Sequence, residues 1–329
     1  MLIRKLIIKI RRTSKLEEVL KNFPQPISLE IYENIKERKK EVEEIRLRIN
    51  QYCIIKLSSE EKIIPYKVNK MEIMQIFQKI CDQSVYSYQN QIVNGYITIK
   101  GGHRVGLTGD VVVENGKIIN IRYISSLNFR IAHQILDCSN SILRYILDIQ
   151  RNQIYNTLIV SSPGAGKTTL LKDLVRKISS GIPEIYFHGL NVSVVDERGE
   201  IAAMYQGEPQ NDIGTRTDVL ENITKPLGIK MALRSMAPQV IIADEIGKSE
   251  DVQAIEYAIC SGVKGVFSAH GNSLEEILSN SELEKLLQKN IIERIILLDN
   301  KARGHIKKVY ELNKSKNTYI DLDAKKRAS

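Results

Sequence analysis

The sequence predicts an α/β fold in which a mostly parallel sheet in the second half of the chain follows a smaller α+β domain. Short apolar segments alternate with helical ones from residue 155 onward, and this alternation is typical of a parallel sheet. Across residues 95–131, apolar residues instead recur at every second position, which indicates antiparallel strands. The change of pattern divides the 329 residues into an N-terminal domain, 1–146, and a second domain, 147–329.

In the N-terminal domain, helices are expected first and a β-meander after them. Apolar residues at helical spacing around Leu16 and Ile76 predict that residues 13–90 are mostly helical, including the charge-rich run 36–48. The period of two begins at Gly95, and Asn115-Gly116 is typical of a tight hairpin turn.

In the second domain, four short apolar segments are expected to be strands separated by helices. These strands are 155–160, 192–195, 240–243 and 265–269. A helix is expected from Lys167 to about Ser179, with Gly181 ending it. Ser273 and Glu276 have the spacing of a capping box and therefore predict the start of a later helix.

The segment 161–168 reads SSPGAGKT and lies between the first of these strands and its helix. Backbone N–H groups and the helix N-terminus of such a loop bind phosphates, which predicts an ATP or GTP site in a RecA-like P-loop NTPase domain. The Lys167 ammonium is expected to reach the β and γ phosphates, and the Thr168 hydroxyl to bind Mg²⁺. Ser161 stands where the first glycine is usual. The predicted nucleotide-binding residues are Ser161, Ser162, Pro163, Gly164, Ala165, Gly166, Lys167, Thr168 and Thr169.

Hydrolysis requires further groups, and carboxylates follow two of the predicted strands. Asp244 is expected to hold Mg²⁺ and Glu245 to activate the attacking water, because the carboxyl ends of parallel strands meet near the P-loop. A second acidic segment, 196–200 (DERGE), follows the strand 192–195, and its carboxylates are candidates to contact the water or the metal. His270 ends the strand 265–269 and is a candidate sensor of the γ-phosphate.

The net charge of +9 is concentrated at the two ends of the chain. Residues 1–12 carry +5 and residues 301–329 carry +6, so the body between them is slightly acidic. DNA-binding domains usually have a basic face, so no nucleic-acid partner is expected. Solvated tails are the simplest interpretation of the basic ends, and weak attraction to an anionic membrane surface is the alternative.

The location expected from the sequence is cytoplasmic. No apolar stretch approaches the roughly 20 residues that cross a bilayer, and the N-terminus lacks the features of a secretory signal. Residues 1–10 fit either an amphipathic segment on a membrane surface or an edge strand. The four cysteines lack CxxC spacing and are expected to be buried free thiols, with no zinc site or disulfide.

The motifs, in this order, resemble those of the secretion ATPases that drive type II and type IV secretion and pilus motors. Further segments are similar to the stage III sporulation protein AA family, over roughly residues 40–300. They are 95–98 (GYIT), 101–107 (GGHRVGL), 196–202 (DERGEIA), 216–220 (RTDVL) and 244–247 (DEIG).

The resemblance implies a hexameric, Mg²⁺-dependent ATPase on the mother-cell side of the double membrane around the forespore. Its implied partners are further copies of the chain and inner-membrane components of a stage III sporulation channel complex, with peripheral or indirect membrane contact. The resemblance also implies a catalytic glutamate in the acidic segment, where Glu197 and Glu200 are candidates and the spacing after Asp196 favours Glu200. Related motors add arginines from the first domain or a neighbouring subunit, for which Arg130, Arg216 and Arg234 are candidates.

Two other functions remain open at this point. One is a RecA-like nucleic-acid translocase or packaging ATPase, which the slightly acidic body and the lack of tryptophan disfavour. The other is a nucleotide-binding assembly scaffold with little hydrolysis. The set Lys167, Thr168, Asp244 and Glu245 disfavours the scaffold, because such proteins often lose a carboxylate.

Overall fold

The structure is a computed structural model that describes residues 15–299 and 304–322. The chain packs into two compact units: residues 15–133 with 203–210 form the first, and the other described residues form the second. The predicted boundary after residue 146 stays a prediction. The predicted membrane-surface segment or edge strand, 1–10, lies outside the described residues.

The first unit contains short helices and one antiparallel sheet. Its elements before residue 133 are α1 (Lys15–Leu20), α2 (Gln25–Ile35), β1 (Val42–Arg48), β2 (Tyr52–Leu57), β3 (Glu61–Lys67), α3 (Lys70–Ile80), α4 (Gln89–Val93), β4 (Tyr96–Ile99), β5 (His103–Glu114) and β6 (Lys117–Arg130). The sheet order is β3-β2-β1-β6-β5-β4. Apolar residues of the helices and of one sheet face form a single buried core around Phe129.

The prediction of helix across residues 13–90 is wrong for β1, β2 and β3. The run 42–48 (VEEIRLR) buries Val42, Ile45 and Leu47, whereas the charged residues between them are only half-buried. Antiparallel sheets commonly have one face open to water, so strongly charged residues fit at alternate positions of a strand. The charge density suggested a helix surface, but Ile45 and Leu47 alternate with charged residues, and the pairing with β2 has an irregularity between Val42 and Glu44.

The second half of the chain contains a mostly parallel sheet flanked by helices. Its elements are α5 (Asn140–Ile146), β7 (Leu147–Asp148), β8 (Gln153–Ile154), β9 (Thr157–Ser161), α6 (Lys167–Ser180), β10 (Gly181–Ile182), β11 (Phe187–His188), β12 (Val192–Asp196), β13 (Met204–Tyr205), β14 (Glu208–Pro209), β15 (Thr217–Glu221), α7 (Lys225–Ser235), β16 (Val240–Ala243), α8 (Ser249–Cys260), β17 (Lys264–His270), α9 (Leu274–Ser279), α10 (Ser281–Gln288), β18 (Arg294–Leu298), β19 (Ile306–Asn313) and β20 (Thr318–Asp321). The large sheet has the order β15-β12-β16-β17-β9-β18-β19-β20, with β19 and β20 antiparallel. The predicted α/β fold with a mostly parallel sheet is confirmed.

The β13–β14 hairpin belongs to the first unit, although its sequence lies in the middle of the second. The Gly101 N–H donates to Gln210 Oε1 at 2.8 Å. Asp82 Oδ2 accepts hydrogen bonds from the Tyr205 hydroxyl at 3.0 Å and from Gln206 Nε2 at 2.9 Å. These contacts attach both arms of the hairpin to the first unit.

Of the four free cysteines, Cys53 and Cys81 are buried as predicted, whereas Cys138 is half-buried and Cys260 is exposed. Burial raises the pKa of the Cys53 thiol to about 12. Over the described residues, no helix has the length and apolar character needed to cross a bilayer.

Candidate functional site

The strand order of the large sheet brings the predicted site residues to one edge. β17 lies between β9 and β16, and β12 is the next strand beyond β16. These four strands are parallel, so their carboxyl ends lie at the same edge of the sheet. The P-loop after β9, His270 at the end of β17, Asp244 after β16 and Asp196 at the end of β12 therefore lie along that edge.

The P-loop connects the buried strand β9 to the start of α6 at Lys167. Gly166 is the N-cap residue, with φ at 93° and no side chain bonded to the helix end. Gly164 also has a positive φ, 83°, and a Cβ placed on it would meet no atom within 4 Å. Glycine tolerates this left-handed conformation. The open loop leaves space for phosphates at the positive end of the helix dipole.

Lys167 places a buried ammonium beside this loop. Its side chain is 6% exposed, and Nζ donates to the Ser161 carbonyl oxygen and to His270 Nδ1, both at 3.0 Å. Burial lowers the pKa of Lys167, while the charges of Asp244 and Glu245 act in the opposite direction. No carboxylate lies within 4 Å of this ammonium in the described part of the chain. A buried cation without a contacting counterion is suited to binding an anion.

Thr168 and Asp244 form an oxygen pair next to the loop. Thr168 Oγ1 donates to Asp244 Oδ2 at 2.9 Å. Mg²⁺ prefers oxygen ligands and usually takes only one or two protein groups, with water and substrate phosphates completing its shell. Within 15–299 and 304–322 no group of three or more His, Cys, Asp or Glu side chains is placed to hold a metal alone. The pair therefore fits Mg²⁺ that arrives with a nucleotide.

Glu245 lies in a constrained turn directly after this pair. Its φ is 51°, in the left-handed region, and its N–H is bonded to Asp244 Oδ1 at 2.9 Å and Ser268 Oγ at 3.0 Å. Carboxylate Oε2 lies 2.7 Å from Arg198 Nη1, and Oε1 lies 3.4 Å from His270 Nε2. Non-glycine residues in this conformation concentrate at functional sites, where surrounding contacts maintain the strain.

Asp196 organises the acidic segment. Its carboxylate is buried and accepts hydrogen bonds from the N–H groups of Glu200, Ile201 and Ala202 at 2.8–2.9 Å. Burial raises the pKa of Asp196, and the three backbone donors oppose this shift. The residue shapes the loop that carries the two candidate glutamates.

Replacing Asp196 by alanine is expected to lower the free energy of unfolding by about 2–3 kcal/mol, because buried N–H groups lose their acceptor. Denaturant titration measures this change. Asp218 lies on the adjacent strand β15 and is exposed, so Asp218→Ala is the matched control and is expected to change stability by less than about 0.5 kcal/mol. Equal effects of the two substitutions would contradict the structural role of Asp196.

The two candidate glutamates of the acidic segment have different surroundings. Glu197 forms an ion pair with the ammonium of Lys225, the first residue of α7. Glu200 and Glu245 both line a cavity of about 260 Å³. Glu197, Arg198 and Lys225 also line this cavity, so it contains both carboxylates and cations. The choice between Glu197 and Glu200 stays a prediction.

The three candidate arginines lie on or next to different elements of the fold. Arg130 is exposed at the end of β6 in the first unit. Arg216 precedes β15, at the amino edge of the large sheet, and its Nη1 donates to the Ser179 carbonyl oxygen at 3.3 Å. Arg234 is exposed in the last turn of α7, the helix whose first residue lines the cavity. A role for any of them across a subunit interface stays a prediction.

For three polar residues of the site, no individual role was predicted from the sequence. Arg198 contacts Glu245, Lys225 contacts Glu197, and Ser268 contacts Asp244. Ser268 had a detectable signal, since it is a polar residue inside an apolar strand. The pairs of Arg198 and Lys225 join residues far apart in sequence, so only the folded chain reveals them.

Comparison with known proteins identifies the family. The family model for sporulation stage III, protein AA, matches residues 13–317. The chain is 35% identical to stage III sporulation protein AA of Bacillus subtilis over 297 residues, which cover 90% of this chain and 95% of that protein.

Solved structures identify the fold. The ATPase DotB of Legionella pneumophila has a TM-score of 0.57 at 13% identity, covering 90% of this chain and 84% of DotB. The pilus retraction motor PilT, solved with bound ADP, has a TM-score of 0.53 at 15% identity, covering 82% and 77% of the two chains. The predicted RecA-like P-loop fold is confirmed, and the chain belongs to the sporulation stage III protein AA family.

Proposed function

We propose that this protein is a Mg²⁺-dependent ATPase that acts as a homo-oligomer, specifically a hexamer, during sporulation. In this proposal, ATP hydrolysis energises the assembly of a membrane-embedded, secretion-like channel or transport through it, from mother cell to forespore. The protein acts on the cytoplasmic, mother-cell side and reaches the membrane through inner-membrane components of the stage III channel complex. The observation that carries the proposal is the buried Lys167 ammonium beside an open P-loop.

The proposed reaction assigns a distinct task to each residue. The P-loop and Lys167 bind the phosphates, and the Thr168 hydroxyl and the Asp244 carboxylate would hold Mg²⁺. Bound Mg²⁺ would neutralise part of the phosphate charge. Glu245 orients a water and accepts its proton while the water oxygen bonds to the γ-phosphorus and the bond to the leaving ADP oxygen breaks. Glu200, or alternatively Glu197, helps to orient this water.

His270 is suited to report the nucleotide state because it contacts two of these groups. A lysine ammonium is only a donor, so the His270 Nδ1 beside Lys167 is the acceptor and the ring proton lies on Nε2, facing Glu245. Phosphates that attract Lys167 would remove this donor from Nδ1. In this proposal, the histidine then changes its contact with Glu245 and so acts as the γ-phosphate sensor.

The closing of the site in an oligomer is the second part of the proposal. A P-loop ATPase commonly gains an arginine from a neighbouring subunit, which stabilises negative charge in the transition state. All three candidate arginines are exposed and therefore accessible to a neighbour. Arg216 is bonded to the carbonyl of Ser179 in its own chain and is the weaker candidate.

The test is the rate of Mg²⁺-dependent ATP hydrolysis as a function of protein concentration, with molecular mass measured on the same samples. We expect activity to rise as oligomers form and to be insensitive to added DNA. Strong stimulation by DNA would favour the nucleic-acid translocase. ATP binding without hydrolysis at every concentration, including after addition of the channel's membrane components, would favour the assembly scaffold.

A further inference from the structure

We propose that Ser268 is a positioning residue, which fixes Asp244 for Mg²⁺ binding and Glu245 for water activation through one hydroxyl group. This inference rests on the function proposed above and adds a residue to it. Ser268 lies on β17, the strand between the P-loop strand and the strand that precedes the two carboxylates.

The hydroxyl of Ser268 contacts both acidic residues. Ser268 Oγ donates to Asp244 Oδ1 and accepts the Glu245 N–H at 3.0 Å. The backbone of Ser268 contributes a further bond, because its carbonyl oxygen accepts the Ile246 N–H at 2.7 Å. Three consecutive residues after β16 are therefore bonded to a single residue of the neighbouring strand.

These bonds determine how the two carboxylates are presented. With Oδ1 held by Ser268, Asp244 directs Oδ2 to Thr168 Oγ1, at 2.9 Å, which is the oxygen pair suited to Mg²⁺. The same hydroxyl stabilises the left-handed backbone of Glu245. Removing the hydroxyl takes away one of the two donors to Asp244 Oδ1 and one of the two acceptors of the Glu245 N–H.

Packing alone does not account for a serine at this position. Ser268 is fully buried between Phe267 and Ala269, which are also fully buried, so alanine would fill the strand at a lower desolvation cost. A buried hydroxyl is stabilising only where it is hydrogen-bonded, and the partners of this one are the two carboxylate-bearing residues.

Ser193 provides a matched control within the same sheet. It lies on β12 and is 1% exposed, and its Oγ is buried with no hydrogen-bond partner among the residues that the structure describes. Ser193→Ala therefore removes a strand hydroxyl of equal burial that contacts neither carboxylate. Any effect that Ser268→Ala has beyond that of Ser193→Ala reports the contacts with Asp244 and Glu245.

The experiment measures binding of a fluorescent, non-hydrolysable ATP analogue as a function of Mg²⁺ concentration, and separately in EDTA. For Ser268→Ala we expect about a 10-fold rise in the Mg²⁺ concentration at half-maximal binding, because a hydrogen bond to a charged group is lost. Affinity in EDTA is expected to stay within about 2-fold of wild type, a result that a general loss of structure would not produce. Ser268→Cys keeps the shape of the side chain but replaces the hydroxyl with a larger and weaker hydrogen-bonding group, and it is expected to shift the Mg²⁺ dependence in the same direction.

Three results would overturn the inference, and they are distinguishable from one another. If both Ser268 variants have the same Mg²⁺ dependence as Ser193→Ala, Ser268 has no positioning role, although the proposed ATPase function stands. If Ser268→Ala weakens binding equally with Mg²⁺ and in EDTA, its role is structural. If the wild-type protein binds no nucleotide, the proposed function fails together with this inference.

Discussion

Replacing Glu245 by glutamine is expected to reduce the rate of ATP hydrolysis by at least about 100-fold, because general-base assistance to the attacking water is lost. Glutamine keeps the size of the side chain and a hydrogen-bonding oxygen, whereas it cannot accept the proton. Nucleotide affinity is expected to remain close to that of wild type, since the P-loop and Lys167 are unchanged. Phosphate release and nucleotide binding, measured on the same samples, separate the two effects.

The matched control for this substitution is Glu250→Gln. Glu250 is exposed in the first turn of α8, a few residues further along the chain and outside the described contacts of the site. Its substitution is expected to leave the hydrolysis rate within about 2-fold of wild type, as for most surface changes. If Glu245→Gln retains more than half of the wild-type rate, the role of general base passes to Glu200 or Glu197.

Replacing Lys167 by methionine is expected to abolish detectable ATP binding and to stabilise the nucleotide-free protein. Binding is lost because the cation that faces the phosphates is removed. Stability rises because the wild-type ammonium is buried and contacts no carboxylate in the described part of the chain, whereas a methionine side chain is uncharged. A gain of about 1 kcal/mol corresponds to a rise of about 2–4 °C in Tm for a unit of this size.

The gain in stability has a defined pH dependence. Burial lowers the pKa of Lys167 in the folded chain relative to the unfolded chain, so the cost of burying its charge is fully present at pH values below the folded-state pKa. As pH rises through the interval between these two pKa values, the folded protein loses the proton first and the cost decreases. The Tm difference between variant and wild type should therefore narrow as pH increases through this interval.

Lys264 supplies the contrasting control. It is partly buried, and its Nζ lies 2.8 Å from Glu293 Oε2, a contact that helps to lower the pKa of that carboxyl. Lys264→Met removes the partner of a largely buried carboxylate and is expected to destabilise the protein. If Lys167→Met and Lys264→Met both raise Tm, or both lower it, the proposed difference between a buried cation without a contacting carboxylate and a cation in an ion pair is wrong.

Local sequence patterns predict much of this architecture. The P-loop, the helix that starts at Lys167 and the Asp244-Glu245 pair were predictable, because each depends on neighbouring residues and on one adjacent strand. Capping chemistry was equally local: Ser273 Oγ accepts the Glu276 N–H, as one half of the predicted capping box, whereas the Glu276 carboxylate accepts the Asn272 N–H instead of the Ser273 N–H. β1–β3 were not predicted as strands because a helix surface carries charged residues at a similar density. In the fold, the charged residues of these strands lie on the open face of a sheet.

Contacts between side chains far apart in the sequence could not be predicted from sequence patterns. The contact between Arg198 and Glu245 depends on β12 and β16 being adjacent, and strand order is a property of the whole sheet. Ser268 is detectable as a polar residue in an apolar strand, but its contacts with Asp244 and Glu245 depend on β16 lying beside β17. The β13–β14 hairpin has strands of only two residues, too short to give a periodic signal.

The place of that hairpin in the first unit affects the order in which the protein can fold during synthesis. The ribosome must release residue 210 before Gln210 can accept the Gly101 N–H, and by then β9, α6 and β12 have already been made. Domains usually fold in sequence as the N-terminal part emerges. Here, the first unit reaches its final packing only after much of the second has been translated, so a fragment that ends at residue 133 lacks part of its own structure.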